Sequence, residues 1–165
     1  MTIADTTEPS IERERTMDSQ NFTSTFTVDQ SPEEVFAAIV DVPRWWTGDV
    51  EGSTDTIGDE FTYRYPGFHY SKQKIAELIP GKKVVWHVVD AHLEGPEDPN
   101  EWTGTEISFE IARMEDGTEV RFSHLGLVPD FECFDACSSA WGFYVNGSLK
   151  RLITTGEGPA KPPWA

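Results

Sequence analysis

Apolar and polar residues alternate one by one along much of this chain, and a period of two is typical of β-strands. The first such stretch runs from Phe22 to Val28, where Phe22, Ser24, Phe26 and Val28 alternate with threonines. The same period predicts further strands at Phe61 to Tyr65, Tyr70 to Ile79, Val84 to Asp90, Thr103 to Met114 and Glu119 to Leu125. Turn residues separate these stretches, so we predict consecutive hairpins that build one antiparallel sheet.

Two helical segments are predicted between the first two of these strands. In the run Ser31-Pro32-Glu33-Glu34, Ser31 can cap a helix, Pro32 suits its first turn and Glu34 completes a capping box. Residues 41–46 predict a second short helical turn. That turn would bring two adjacent tryptophans inward.

The C-terminal third of the chain predicts one long helix with an unusual inner face. We expect Asp130 to cap this helix and Gly156 to stop it. Its inward stripe carries Cys133, Cys137, Trp141, Tyr144, Ser148 and Leu152. A helix that only covers a core normally shows a more uniform aliphatic stripe. This mixture of thiols, aromatic rings and a hydroxyl therefore predicts one wall of a cavity.

The order of the elements predicts an α+β helix-grip fold, in which a curved antiparallel sheet wraps around the C-terminal helix and leaves a hollow between them. Residues 21–158 are expected to form this single domain, since 165 residues suffice for one core. Residues 1–20 are polar and lack a hydrophobic period, which predicts a disordered lead. Residues 159–165 are expected to form a short tail.

Charge and cysteine content exclude several classes of function. The chain has 13 basic and 29 acidic residues, a net charge of -16 that repels nucleic acids and anionic membrane surfaces. It contains no apolar stretch suited to a signal peptide or a membrane span, so we expect a cytoplasmic protein without membrane insertion. Its two cysteines provide neither a disulfide framework nor a complete zinc site. Neither a metal nor another cofactor is expected.

A set of short segments, in their order along the chain, resembles a known family. The segments are Ser31 to Phe36, Trp45-Trp46, Gly58 to Phe61, Val84 to Trp86, Phe109 to Ile111, Gly117 to Val120, His124 to Leu127, Phe131 to Trp141 and Ser148-Leu149. They resemble the START-like superfamily, also called SRPBCC, in the branch named after the activator of heat-shock-protein ATPase homologue. The resemblance implies a deep, mostly apolar cavity without a family-wide catalytic constellation. Members of the superfamily bind lipids, polyketides, steroids and plant hormones, and a minority are cyclases or hydrolases.

The candidate ligand-binding residues are those that strand parity and helical spacing direct toward the hollow. They are Trp45, Trp46, Tyr63, Tyr65, Trp86, Phe122, His124, Cys133, Cys137, Trp141 and Tyr144. Tyr and Trp side chains each carry a polar group that needs a partner when buried, which suits a lined cavity better than a dry aliphatic core. We therefore predict a non-catalytic protein that binds an apolar or aromatic small molecule, either lipid-like or polyketide-like.

An enzymatic alternative rests on two of these residues. Cys133 would lie in the first turn of the C-terminal helix, where the helix dipole and an imidazolium of His124 would both stabilise a thiolate. Such a pair could serve a cyclase or hydrolase. A histidine on an apolar face is more often a satisfied core residue, and the two cysteines can equally be small, polarisable cavity fillers. Zinc binding by Cys133, Cys137 and His124 lacks a fourth ligand with a suitable spacing.

A third hypothesis is an interaction protein, either associated with a chaperone or related to stress, whose acidic surface meets a basic partner. Antiparallel edge strands could also support a homodimer.

Overall fold

A computed structural model describes residues 21–47, 49–65, 69–93, 100, 102–127 and 134–157. Seven strands form one antiparallel sheet in the order β1-β7-β6-β5-β4-β3-β2. The strands are β1 (Phe22–Val28), β2 (Asp49–Gly52), β3 (Glu60–Tyr65), β4 (His69–Ile79), β5 (Lys83–Leu93), β6 (Glu106–Met114) and β7 (Gly117–Leu125). The helical elements are α1 (Pro32–Val40), a 3₁₀ turn (Val42–Arg44), α2 (Phe134–Trp141), a π-helical segment (Gly142–Leu149) and α3 (Lys150–Thr155). The predicted α+β helix-grip architecture is confirmed.

Strand β2 is the one element of the sheet that the alternation of residues does not predict. It has four residues, and only Val50 is even partly shielded from solvent. A short, polar edge strand needs no buried face, so its sequence carries no period of two. The other six strands coincide with predicted ones, with ends that shift by a few residues.

The capping box of α1 fixes how the chain leaves β1. The Ser31 hydroxyl accepts a hydrogen bond from the Glu34 backbone N–H at 3.1 Å, and the Glu34 carboxylate accepts one from the Ser31 N–H at 3.3 Å. The second predicted helical turn is a 3₁₀ turn that begins directly after α1. It directs Trp45 and Trp46, both buried, toward the inner face of the sheet.

The C-terminal helical elements α2, the π-helical segment and α3 follow one another without a break. Gly156 ends them with a left-handed backbone (φ +77°), and its N–H donates to the Leu152 carbonyl at 2.8 Å, so the predicted stop is confirmed. The sequence predicts uniform α-helical spacing, whereas Gly142–Leu149 is π-helical. The predicted cap, Asp130, and the predicted lead and tail, residues 1–20 and 159–165, lie outside the described residues.

The core fills the space between the inner face of the sheet and the helices. Its largest fully buried side chains are Trp45, Trp86, Phe61, Phe109, Phe122, Ile39, Ile75, Ile107, Leu127, Leu149, His124 and Gln73. Two polar side chains thus belong to the deepest layer of an otherwise aromatic and aliphatic core. In the part of the chain that the structure describes, none of the helices has the length and apolar character needed to cross a bilayer.

Candidate functional site

Trp46 lies at the centre of an aromatic cluster between the sheet and the C-terminal helix. Its other rings are those of Phe61, Tyr63, Trp86, Trp141 and Tyr144, with centroids between 4.7 and 6.4 Å from that of Trp46. The ring of Trp45 adjoins the cluster from the core, with its centroid 5.6 Å from that of Trp46. Several of these pairs meet edge to face, the arrangement that aromatic quadrupoles favour. The cluster joins β3, β5 and the helical C-terminus into one aromatic interior.

His124 belongs to a chain of hydrogen bonds that fixes its tautomer. The indole N–H of Trp141 donates to Nδ1 of His124 at 3.0 Å, so the ring proton of the neutral histidine is on Nε2. Nε2 then donates to the Thr105 hydroxyl at 2.8 Å, and Thr105 donates to the Trp102 carbonyl at 2.6 Å. Burial, helped by nearby His69, lowers the pKa of His124 to about 3. His124 is therefore neutral, and both of its nitrogens are occupied.

Trp102 was not among the predicted site residues, yet it stands at the middle of this region. Its ring meets His69 and His124 edge to face, at centroid separations of 4.7 and 4.6 Å. It also stacks on Trp141, with centroids 5.6 Å apart and planes within 10° of parallel. Trp102 thus connects the half-buried His69 and the buried His124 to the C-terminal helix.

A second polar group comes from the inner face of β4. Gln73 donates from Nε2 to the Ser71 hydroxyl at 2.6 Å, and the same hydroxyl lies 2.8 Å from Nε2 of His69. Ser71 and Gln73 are fully buried. Burial lowers the pKa of His69 to about 3, so this imidazole is also neutral. The inner face therefore carries polar but uncharged groups.

The phenols of Tyr63 and Tyr144 form a third polar group. The Tyr144 hydroxyl lies 2.5 Å from that of Thr47 and 3.3 Å from that of Tyr63. Burial raises the pKa of Tyr63, and the hydrogen bond with Tyr144 raises it further. Tyr63 therefore stays protonated at neutral pH and can act only as a neutral donor or acceptor.

Several buried polar atoms in this interior have no hydrogen-bond partner among the described residues. They are Nε1 of Trp46, Trp86 and Trp102, and Oε1 of Gln73. Besides these four, Gln30 Oε1 and Ser138 Oγ are also buried without a partner. By contrast, Nε1 of Trp45 donates to the Ile39 carbonyl at 3.2 Å, and that of Trp141 donates to His124. Folded proteins leave few buried polar groups unpaired, so four in one aromatic interior require an explanation.

The structure divides the predicted site residues into three groups. Trp46, Tyr63, Trp86, His124, Trp141 and Tyr144 are buried and lie in the aromatic cluster or its hydrogen-bond chain. Trp45 and Phe122 are buried in the core beside it, while Tyr65 and Cys137 are half-buried against that core. Cys133 lies outside the described residues. Within the described ranges, no three His, Cys, Asp or Glu side chains are grouped so that they could hold a metal ion.

The residues that the sequence reasoning missed are His69, Ser71, Gln73, Trp102 and Thr105. Strand β4 contained a usable signal, because Lys72 and Lys74 occupy alternate positions and are not buried. Ser71 and Gln73 must then face the interior. Trp102 follows an acidic, proline-containing stretch whose composition predicts only a solvated loop.

The curved sheet, the covering helix and the aromatic interior define the class of protein: a helix-grip domain of the START-like, or SRPBCC, superfamily. The chain belongs to the family of activator of Hsp90 ATPase homolog 1-like proteins, whose family model matches residues 29–154. The resemblance inferred from the sequence is confirmed.

Solved structures of other proteins share this fold. The solution structure of the Aha1 dimer from Colwellia psychrerythraea has 29% sequence identity and a TM-score of 0.68, covering 84% of this chain and 98% of that one. CalU16 from Micromonospora echinospora has 17% identity and a TM-score of 0.58, covering 86% and 76%. DynU16, a protein in the dynemicin biosynthetic locus, has 14% identity and a TM-score of 0.63, covering 84% and 49%. No curated protein sequence matches the chain.

Proposed function

We propose that this protein is a small cytoplasmic binding protein that holds an apolar or aromatic small molecule, lipid-like or polyketide-like, between the inner face of its sheet and its C-terminal helix. The single observation that carries the proposal is the set of buried polar atoms without partners, on Trp46, Trp86, Trp102 and Gln73. Each such atom costs about 1–3 kcal/mol when it is left unpaired. A molecule that supplies hydrogen bonds in this interior would remove that cost.

The free energy of binding must come from both apolar and polar contacts. A ligand that buries roughly 300 Å² of apolar surface gains about 7 kcal/mol. Association itself costs about 4 kcal/mol or more, so apolar contact alone gives weak binding. Because the rings of the aromatic cluster already touch one another, a ligand must displace some of them. Binding should therefore change the fluorescence of the buried tryptophans.

The proposed role is binding without catalysis, because both ring nitrogens of His124 are already hydrogen-bonded within the protein. A general base needs a free lone pair, yet Nδ1 of His124 accepts a hydrogen bond from Trp141 and its Nε2–H faces Thr105. Nε2 of His69 likewise faces Ser71. The enzymatic alternative with His124 and Cys133 therefore requires His124 to break its bonds. Alkylation of Cys133 by iodoacetamide in a Cys137→Ser variant tests it: reaction with a midpoint well below pH 8 would favour a thiolate enzyme.

Native mass spectrometry of the protein isolated from its own source tests the proposed function. We expect a co-purifying molecule at one per chain, and we expect Trp141→Ala to lose it. Because Trp141→Ala also removes a buried ring and a hydrogen bond, Trp46→Phe serves as a milder second variant. The control is Trp45→Phe, which removes an indole that is already paired with the protein. Bare protein from the source, together with no binding of fluorescent lipid or aromatic probes, would contradict the proposal.

A second candidate function is assembly with a protein partner, and the comparison with the 29% identical Aha1 favours it, since that protein is a dimer in solution. In this chain β1 and β2 are the edge strands of the sheet. Sedimentation equilibrium at low and high salt tests this candidate. A homodimer, or a complex with a basic partner that weakens with salt, would support it; a monomer at all concentrations and no such complex would oppose it.

A further inference from the structure

The polar atoms left unpaired in the aromatic interior are dominated by donors. An indole N–H can donate a hydrogen bond and cannot accept one, and Trp46, Trp86 and Trp102 each present such a donor without a partner among the described residues. Only an acceptor can satisfy them. The amide of Gln73 adds one further group, which is an acceptor as placed or a donor if the amide is turned over. In either orientation of Gln73, the unpaired donors outnumber the unpaired acceptors.

The same interior offers no charge to a ligand. Among the described residues that are buried, none is Lys, Arg, Asp or Glu. The titratable groups that face this interior include His69, His124, Tyr63 and Tyr144, and burial keeps the first three in their neutral forms. A carboxylate or an ammonium group would therefore enter without a counter-charge, which is strongly unfavourable in a dry site. The net charge of -16 opposes anions further.

The walls of the interior are flat rings. Trp102 and Trp141 stack nearly parallel, and Trp46 and Trp86 present faces and edges to their neighbours. Flat aromatic walls favour a flat aromatic guest, which can replace the ring contacts that it displaces.

From these three features we propose that the site selects an uncharged, planar aromatic molecule with a carbonyl or ether oxygen that accepts a hydrogen bond from the indole N–H groups, and that it rejects anionic lipids such as fatty acids. This inference rests on the proposed function and narrows its ligand class. Trp46, Trp86 and Trp102 are then the residues that determine specificity. The indole N–H groups of Trp45 and Trp141 are already hydrogen-bonded within the protein and have a structural role.

Three probes on one ring system test this inference by equilibrium dialysis: 2-acetylnaphthalene, 2-ethylnaphthalene and 2-naphthoate. They differ only in whether the substituent is a neutral acceptor, an apolar group or an anion. We expect 2-acetylnaphthalene to bind at least tenfold more tightly than 2-naphthoate. We also expect the affinity ratio of the ketone to the ethyl compound to fall at least fivefold in one or more of Trp46→Phe, Trp86→Phe and Trp102→Phe. That ratio should not change in Trp45→Phe, the matched control.

The possible outcomes separate this inference from the proposed function. If 2-naphthoate binds as tightly as the ketone, or if the ratio is the same in all three variants as in the wild type, the inference is wrong although a binding site exists. If none of the three probes binds, the proposed function fails and the inference fails with it. The comparison with 2-naphthoate uses only the wild-type protein, so it decides the matter even if a variant does not fold.

Discussion

Thr105→Val is the sharpest test of the hydrogen-bond chain that organises the interior. The Thr105 hydroxyl accepts from His124 at 2.8 Å and donates to the Trp102 carbonyl at 2.6 Å. Valine has the same shape as threonine but offers neither function. The substitution therefore leaves the buried Nε2–H of His124 without a partner and creates no cavity. The Trp102 carbonyl still accepts from the backbone N–H of residue 105, at 3.1 Å in the native protein.

The expected loss of stability follows from the unpaired imidazole N–H of His124. Each buried polar group that loses its partner costs about 1–3 kcal/mol, and His124 is fully buried. We therefore expect a loss of about 1–3 kcal/mol in the free energy of unfolding. Urea unfolding, followed by tryptophan fluorescence and extrapolated linearly to water, measures it.

Thr103→Val is the matched control for this substitution. Thr103 lies two residues away, on an exposed turn, so the same chemical change should alter stability by less than about 0.5 kcal/mol. A loss of under about 0.5 kcal/mol in Thr105→Val itself would refute the hydrogen-bond chain. It would return His124 to the set of residues free to contact a ligand or a substrate.

Three further predictions concern stability. Burial lowers the pKa of His69 and His124 to about 3, below the usual 6.5, so the unfolded chain binds more protons than the folded chain between these two pH values. The free energy of unfolding should therefore be at its full value above about pH 6.5 and fall as the pH drops toward 3, by roughly 1.4 kcal/mol per pH unit for each histidine. Urea unfolding at pH 7.5 and 5.0 should show this loss, and His69→Gln should reduce it; an equal loss in the variant would contradict the assignment. Gly147→Ala should stabilise the protein by about 0.5–1 kcal/mol, since a Cβ there meets open space, and a lower thermal midpoint would oppose this. Ser31→Ala should cost about 1 kcal/mol by removing the cap of α1, whereas Ser53→Ala, which removes only an exposed hydrogen bond to the Asp55 carboxylate, should cost much less.

The fold could be predicted because its signals are local. The alternation from Phe22 to Val28 and the capping box at Ser31 depend only on neighbouring residues, and both are found where the sequence indicates them. Gly156 likewise ends the last helix because a left-handed residue is cheapest as glycine. Elements of this kind need no knowledge of the tertiary structure.

The site could be predicted only in part, because its polar half depends on tertiary context. Hydrophobic patterning identifies aromatic residues such as Trp46 and Trp141, but it assigns Ser71 and Gln73 to the surface on account of their polarity. Ser71 and Gln73 lie inside because they alternate along β4 with Lys72 and Lys74, whose charged side chains cannot be buried. Trp102 reaches the interior through a turn with no periodic signal. The π-helical geometry of Gly142–Leu149 also has no counterpart in the residue pattern.

Crystals of protein isolated from its own source would show whether a small molecule completes the hydrogen bonds of the aromatic interior. The measurement is the electron density beside the unpaired indole nitrogens. We predict continuous density for a non-water molecule within about 3 Å of at least one indole nitrogen among Trp46, Trp86 and Trp102. Density for ordered water alone at those nitrogens, or no density beside any of them, would contradict this proposal.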